Sequence, residues 1–404
     1  MATDSGSFLD PRKLTIDEWA DILREEVGTV ITTEEFKLQH GEHFAPWNTE
    51  ASRDTILHLV DGLGDVNPLY RDEAYAETTR YGALVAPPSF LYTVWYPTGT
   101  FMRKMVQGFS GFNSGGAMEW LKPILRGDRF TFKLTSPAKI EIKESTRGGK
   151  MMLIHARVDY YNQRGELVAV GTGYSIKAET QSFRESNKQK DVSIYESTPK
   201  ELEEIYAAKA NEEVRGPQPR WWEDVNVDDQ LPSVVQGPAS PMDNAALFAG
   251  LGLYSLKADS MELASPYARD FPMPPHPDTG GFSNHLTFSI DSRIANWRHN
   301  LQGAVVIGMH RMAQAMVLFT NWMGDDGFLW KFSKRMNRFK IIGDTVWLKG
   351  KVTKKYVHDG RHCIDIESWG ENQRQEIIQN GTATVILPSR DHGPVEFPSP
   401  AAGD

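Results

Sequence analysis

The sequence predicts an α+β chain of two tandem units, each an antiparallel sheet wrapped around a long central helix. Three observations predict it. Apolar residues recur at helical spacing as far as Tyr96 and alternate strictly after Gly127-Asp128. The same succession returns in the second half: a buried helical run, a Gly-Asp step, then alternating strands. Short matches tie the halves together in order. Asn162-Gln163-Arg164-Gly165-Glu166 returns as Asn372-Gln373-Arg374-Gln375-Glu376, and Gly171-Thr172 returns as Gly381-Thr382 at the same offset. Two copies of a helix-plus-sheet unit pair naturally, each covering a sheet edge or face of the other.

Each element has its local reason. Thr15-Ile16-Asp17-Glu18 is a capping box, and Trp19, Ile22, Leu23 and Val27 follow as an apolar helical stripe. A polar start at Ser52 to Thr55 precedes Ile56, Leu59, Val60 and Leu63, a second amphipathic helix. Ala83 to Tyr96 is apolar on nearly every side and reads as a fully buried helix. Then the period becomes two: Phe130, Phe132, Leu134; Ile140, Ile142; Met152, Ile154, Ala156, Val158; and Val168 to Ile176. Gly148-Gly149 and Asn162 to Gly165 are the turns between these strands. The polar stretch 183–219 reads as a linker, with a short helix opening at Thr198-Pro199 and a break at Gly216-Pro217-Gln218-Pro219. The second half offers the buried run Val305 to Trp322, then Gly343-Asp344 and a strand over Val346 to Val352. The domain reading is 1–182 for the first unit with a helical extension, 183–219 for the linker, 220–390 for the second unit and 391–404 for a tail.

With 404 residues, 40% apolar and 24% charged, the chain has bulk for sizeable cores. A formal charge of −9 gives no electrostatic footprint for nucleic acid or an anionic membrane. The one cysteine, Cys363, cannot form an intramolecular disulfide or alone a thiolate zinc site, and it alternates with Asp365 and Glu367 along a strand. His358 and His362 bracket Asp359-Gly360, a hairpin turn, which argues against a metal pair. Trp221, Trp222 and Trp347 are placed at strand starts or within strands. The polar start Met1 to Gly6 carries no secretory pattern, and the apolar run Ala313 to Trp322 is interrupted by Gln314, Thr320 and Asn321. A soluble, cytoplasmic protein is expected, with no nucleic-acid or membrane partner. Dinucleotide, Walker and nucleophile-elbow motifs are absent.

The densest chemistry is Gly64-Asp65-Val66-Asn67-Pro68-Leu69-Tyr70-Arg71-Asp72-Glu73-Ala74-Tyr75-Ala76. By composition it is a well-formed turn, since Asn-Pro and Gly-Asp are loop punctuation. By content it is a carboxylate, an amide and a phenol beside an apolar helix, which is what a small acid–base site needs. Asp65-x-Asn67-Pro68-Leu69, followed by Asp72, Tyr75-Ala76 and Gly82, resembles the signature of the R-specific enoyl-CoA hydratases. These are the MaoC-like hydratases and dehydratases of the hotdog fold. Tyr81 to Leu91, with Ala86-Pro87-Pro88-Ser89-Phe90-Leu91, resembles the start of their central helix. The resemblance spans about residues 30–180 and 220–390 and is specific in the first half.

It implies two tandem hotdog domains, Asp65 as general base, Asn67 as its orienter, and Tyr70 where the family has a histidine. A phenol titrates near 10, so Tyr70 is a proton or hydrogen-bond donor and a poor base. Pro87-Pro88 removes two N–H groups where the family polarises the thioester carbonyl, so donors there would have to come from Ala86 or Ser89, or from elsewhere. In the second half, Gly303 to Met309 resembles the same helix start, with Gly308 and Met309 as candidate oxyanion donors. Ser289 aligns opposite Tyr70 and Asp291 opposite Asp72, after an insertion carrying Pro266, Pro272, Pro274, Pro275 and Pro277. His58, His285, His299 and His310 are each read as surface or core residues before catalytic ones.

The implied activity is reversible hydration of a 2-enoyl-CoA, or dehydration of a 3-hydroxyacyl-CoA, with the CoA thioester as substrate and no metal or redox cofactor. The implied partner is a small-molecule acyl-CoA, and a homodimer is a candidate assembly. Arg71, Arg80 and Lys122 are the loosest candidates for phosphate contacts. Phe90, Tyr92, Trp95, Tyr96, Phe101 and Met102 suit a bulky or unusual acyl group, or equally a core. Two other readings stay open. One is a non-catalytic acyl-thioester-binding partner; the other is a thioesterase using Asp65 to aim water at the carbonyl.

Overall fold

The computed structural model describes residues 9–10, 13–40, 48–97, 105–106, 108–144, 149–186, 189–252, 275–283 and 286–400. The helices are α1 (Ile16–Arg24), α2 (Thr33–His40), α3 (Arg53–Leu63), α4 (Pro68–Arg71), α5 (Glu73–Glu77), α6 (Leu91–Val94), α7 (Thr180–Ser186), α8 (Pro199–Ala210), α9 (Pro241–Leu251), α10 (Ser292–His299) and α11 (Gly308–Met323). The first-half strands are β1 (Leu9–Asp10), β2 (Val30–Thr32), β3 (Val85–Ala86), β4 (Met105–Val106), β5 (Phe109–Trp120), β6 (Ile124–Leu125), β7 (Phe130–Glu144), β8 (Lys150–Asn162) and β9 (Leu167–Glu179). The second half adds β10 (Gln230–Gln236), β11 (Phe328–Met336), β12 (Val346–His358), β13 (Arg361–Asn372) and β14 (Ile377–Ile386).

Ten strands form one antiparallel sheet in the order β10-β12-β13-β14-β11-β5-β9-β8-β7-β2. The halves therefore join edge to edge, β11 against β5, with Lys331 opposite Glu119 and Arg335 opposite Gly115. Each unit covers the other's exposed edge, where free N–H and C=O groups would otherwise invite foreign pairing. The sheet wraps α11, whose residues from His310 to Met323 are all buried, including Gln314, Thr320 and Asn321.

The duplication is visible in bond geometry. Gly127 and Gly343 turn the chain at φ 90° and 83°. Asp128 Oδ2 then accepts the Leu125 N–H at 2.9 Å, and Asp344 Oδ2 the Ile341 N–H at 3.0 Å. Asn162 Oδ1 accepts the N–H groups of Arg164 and Glu166; Asn372 Oδ1 accepts those of Arg374 and Glu376. Where the first copy has Gly165 at φ 73°, the second holds Gln375 at φ 59°. A further equivalence escaped the sequence reading. Helices α3 and α9 both end in a left-handed glycine, Gly64 and Gly252, and cross closely. A Cβ at Gly62 would lie 2.7 Å from the Ala246 carbonyl, and one at Gly250 would lie 2.4 Å from that of His58.

Local predictions held where caps and periods were strong. Thr15 with Glu18 and Thr198 with Glu201 form reciprocal capping boxes. Asp359 and Gly360 turn at φ 48° and 77° between β12 and β13. Cys363 is buried, and burial pushes its thiol up to about 11, so it is not a ready nucleophile. Two expectations need correction. The first-half helix does not run from Ala83 to Tyr96: β3 comes first, then a 3₁₀ turn (Pro88–Phe90) and α6, and Trp95 is extended at φ −161°, ψ 127°. Pro87 and Pro88 delay its start, and Pro97 disfavours helical geometry at Tyr96 and lacks the N–H for another turn. Trp221 and Trp222 sit at a 3₁₀ turn (Trp222–Asp224), not at a strand, whereas Trp347 lies in β12. Gly148, Phe101, Met102, His285, Pro266, Pro272 and Pro274 lie outside the described residues.

Candidate active site

The motif loop is held by its own polar atoms. Gly64, at φ 68°, ends α3, and the Asp65 N–H then returns to the Val60 carbonyl at 3.1 Å. Asp65 Oδ1 accepts the Asn67 N–H at 3.0 Å, and Asn67 Oδ1 caps α4 by accepting the Leu69 N–H at 3.0 Å. Asn67 therefore fixes Asp65 through its backbone, while its side-chain oxygen is spent on the cap. Asp72 Oδ1 caps α5 through the Tyr75 N–H at 3.1 Å. In the second half Asp291 caps α10 in the same manner, and Ser289 donates to the Leu286 carbonyl at 2.6 Å. The structure thus repeats the helix cap of Asp72 at Asp291.

Asp65, Asn67 and Tyr70 are all buried, each 2% exposed. Burial pushes the Asp65 carboxyl up to about 6, outweighing the Asn67 N–H and the Arg71 guanidinium, and the nearby Glu212 charge adds to the rise. Tyr70 is held well above the usual phenol range by burial, then by the charges of Asp65, Tyr81 and Asp325, against a hydrogen bond with Thr320. At neutral pH it is a phenol with a proton to give.

A cavity of about 40 Å³ opens beside Tyr70, between the start of the first-half helix (Ala86, Pro88) and the end of α11 with the chain after it (Met323, Asp325, Phe328). That volume suits water or one small group, since a water needs roughly 10–15 Å³ on this measure. Asp325 was not singled out in the sequence, yet it is the most informative residue here. The Tyr75 hydroxyl donates to its Oδ2, while Oδ1 is buried without a hydrogen-bond partner. Burial raises its carboxyl above the ordinary value, against the Tyr75 bond. Asn321, in the last turn of α11, has a buried side-chain amide with neither atom paired. The linker closes the back: the Arg215 N–H reaches the Asn321 carbonyl and the Asp325 N–H reaches the Gly216 carbonyl, each at 3.0 Å. The signal for this cluster was the polar Thr320-Asn321 pair inside an apolar helix.

Not every predicted residue converges on this point. Ala86 lines the cavity, and Ser89 is buried nearby on the 3₁₀ turn. Gly308 and Met309 open α11, twelve residues before Thr320, hence about 18 Å away along the helix axis. That separation sets them apart from the Thr320 end of the helix, where Tyr70 and its cavity lie. None of the described histidines hydrogen-bonds to Asp65 or Tyr70. His58 is exposed on α3, His310 meets Asn244 Oδ1 at 3.3 Å with burial lowering it to about 3, and His299 is packed among Phe112, Phe183, Phe288 and Phe339. Arg71 is paired with Asp61, Arg80 donates to the Val395 carbonyl, and Lys122 bridges to Glu166 at the cavity wall. Phe90, Tyr92, Trp95 and Tyr96 pack into the first-half core, as with Trp95 stacked on Phe132 at 5.1 Å.

Residues 39–170 match the family described as the FAS1-like dehydratase domain region. A UPF0336 protein of Streptomyces griseus is 27% identical over 129 residues, which is 30% of this chain and 78% of that protein. Among solved structures, a MaoC-like dehydratase superposes with a TM-score of 0.62 at 17% identity, covering 90% of this chain and 99% of its own. A protein from Chloroflexus aurantiacus described as a putative MaoC domain protein dehydratase gives 0.55 at 13%, covering 90% and 96%. A conserved hypothetical protein of Mycobacterium tuberculosis with a double hotdog fold gives 0.50 at 12%, covering 89% and 96%. The class defined is a double-hotdog protein with the architecture of MaoC-like dehydratases. Its first half, motif loop included, carries the dehydratase-region sequence, so the resemblance read from Asp65 to Leu91 stands. Among the described residues, no helix is long and apolar enough to cross a membrane.

Proposed function

We propose that this protein is a hydro-lyase that adds water to a 2-enoyl thioester, or removes it from a 3-hydroxyacyl thioester, with CoA as the carrier. The supporting observation is one constellation: two buried carboxyls, Asp65 and Asp325, both raised, act on the same buried phenol, and that phenol and Asp325 line a water-sized cavity. Buried carboxyls raised above their ordinary range beside a buried phenol are the usual material of acid–base chemistry. In the hydration direction Asp65, as carboxylate, takes a proton from water while the oxygen adds to C3. Asp325, as acid, gives its proton to C2, standing in for the imidazole that Tyr70 displaces. Only a proton and a hydroxide equivalent move, so the reaction calls on no redox cofactor. The linker and the end of α11 exclude bulk water from the back of the site.

A panel of short, long, branched and cyclic 2-enoyl-CoAs tests this. Loss of the conjugated enoyl-thioester absorbance is followed together with free thiol. Absorbance loss without thiol, abolished in Asp65→Asn and cut about 10²-fold or more in Asp325→Asn, is the expected result. Thiol release would instead make the protein a thioesterase. A second reading is favoured by the full burial of Tyr70 and the small cavity: a binding partner that holds acyl thioesters without turning them over. Measurable thioester binding with no absorbance loss would establish it.

A further inference from the structure

A larger cavity, about 250 Å³, lies away from the motif loop, walled by β5, β8 and β9 of the first half and by Met336 to Phe339 of the second. Its chemistry is uneven. Phe112, Phe183 and Phe339 form an aromatic cluster with ring centroids 4.5 to 6.3 Å apart, and Ile176, Ala178 and Met336 add apolar surface. Among these apolar walls stands Arg311, 4% exposed. Its guanidinium is held only by neutral acceptors: the Arg338 and Ile378 carbonyls at 2.7 and 2.9 Å and Gln379 Oε1 at 3.2 and 3.1 Å. Those four bonds use one Nε, one Nη1 and two Nη2 hydrogens, leaving one Nη1 hydrogen unassigned.

No carboxylate hydrogen-bonds to this guanidinium among the described residues. Arg311 sits in the first turn of α11, where the helix dipole is itself positive and no side chain caps the end. Lys340 is buried close enough to repel it. The buried carboxylate nearest in influence, Asp344, is already engaged by Arg374 at 2.5 Å, by Gln373 and by the Ile341 N–H. At the cavity, Glu179 is exposed to solvent, while Lys150 and Arg338 are paired with Asp17 and Glu376. Burial lowers Arg311 only to about 10, so it remains a cation at neutral pH. A desolvated cation without an anion is costly, and a bound anion would offset that cost. The cavity exceeds the roughly 150 Å³ that admits a benzene ring in an apolar protein interior.

We infer that this cavity is a binding site for an apolar monocarboxylate, its carboxylate against Arg311 and its hydrocarbon body among Phe112, Phe183 and Phe339. This inference stands apart from the hydro-lyase reading, and Asp65→Asn leaves it untouched. The test is isothermal titration of the full chain with octanoate and with octanol, which has the same body and no charge. A hydrogen bond to a charged group is worth about 1.5–3 kcal/mol, so octanoate is expected to bind at least about tenfold more tightly than octanol. Arg311→Gln should remove that preference, and Ala178→Trp, which fills the cavity and leaves Arg311 in place, should abolish octanoate binding. A thermal transition for each variant establishes that it is folded. Equal affinity for octanol, no octanoate binding, or binding unchanged in folded Ala178→Trp would overturn the inference.

Discussion

Replacing Asp65 by Asn should stabilise the protein while it removes activity. Asp65 is buried, and its carboxyl is raised from 3.8 to about 6. Between those values the folded chain holds a proton that the unfolded chain has lost, so stability falls as pH rises through that window. Above about pH 7 the full cost is reached. At 1.36 kcal/mol per unit it amounts to about 3 kcal/mol, and at pH 5 to about half of that. Asparagine keeps an oxygen for the Asn67 N–H and carries no charge, so Asp65→Asn should recover most of this energy. Unfolding entropy of about 2.1 cal/mol/K per residue over 404 residues makes 1 kcal/mol worth about 1.2 °C. The expected Tm rise is therefore about 3–4 °C at pH 8, shrinking to about 2 °C at pH 5. Scanning calorimetry of both proteins at pH 5, 6, 7 and 8 measures it. A lower Tm for the variant, or a difference that ignores pH, would refute the reasoning that burial dominates this carboxyl.

Two further outcomes follow from the same structure. The pH profile of hydration should climb with kcat/KM rising about tenfold per pH unit below 6, because Asp65 works only after losing its proton, and fall again where Asp325 gives up its own; a flat profile from pH 5 to 7 would remove Asp65 as the base. Gly250→Leu should destabilise by at least about 1–3 kcal/mol, since its Cβ would meet the His58 carbonyl at 2.4 Å and force α3 and α9 apart; an unchanged denaturant midpoint would contradict that packing.

What the sequence determined by itself was everything governed by neighbours along the chain. Thr15 and Thr198 cap helices because a glutamate stands three residues on. The alternation from Phe130 to Val158 specifies strands because one face is buried. Gly127-Asp128 and Gly343-Asp344 open equivalent turns because a left-handed glycine and a carboxylate accepting an N–H are local requirements. The motif loop, too, builds its frame from atoms a few residues apart. The tertiary structure alone decided what meets that loop. Antiparallel pairing of β5 with β11 relates the halves so that the start of the first helix faces the end of α11. That arrangement delivers Thr320 and Asp325 to Tyr70 and carries Gly308 and Met309 to the far end of the same helix. Periodicity cannot report such contacts, because they depend on how two sheets join at their edges and not on spacing within either one.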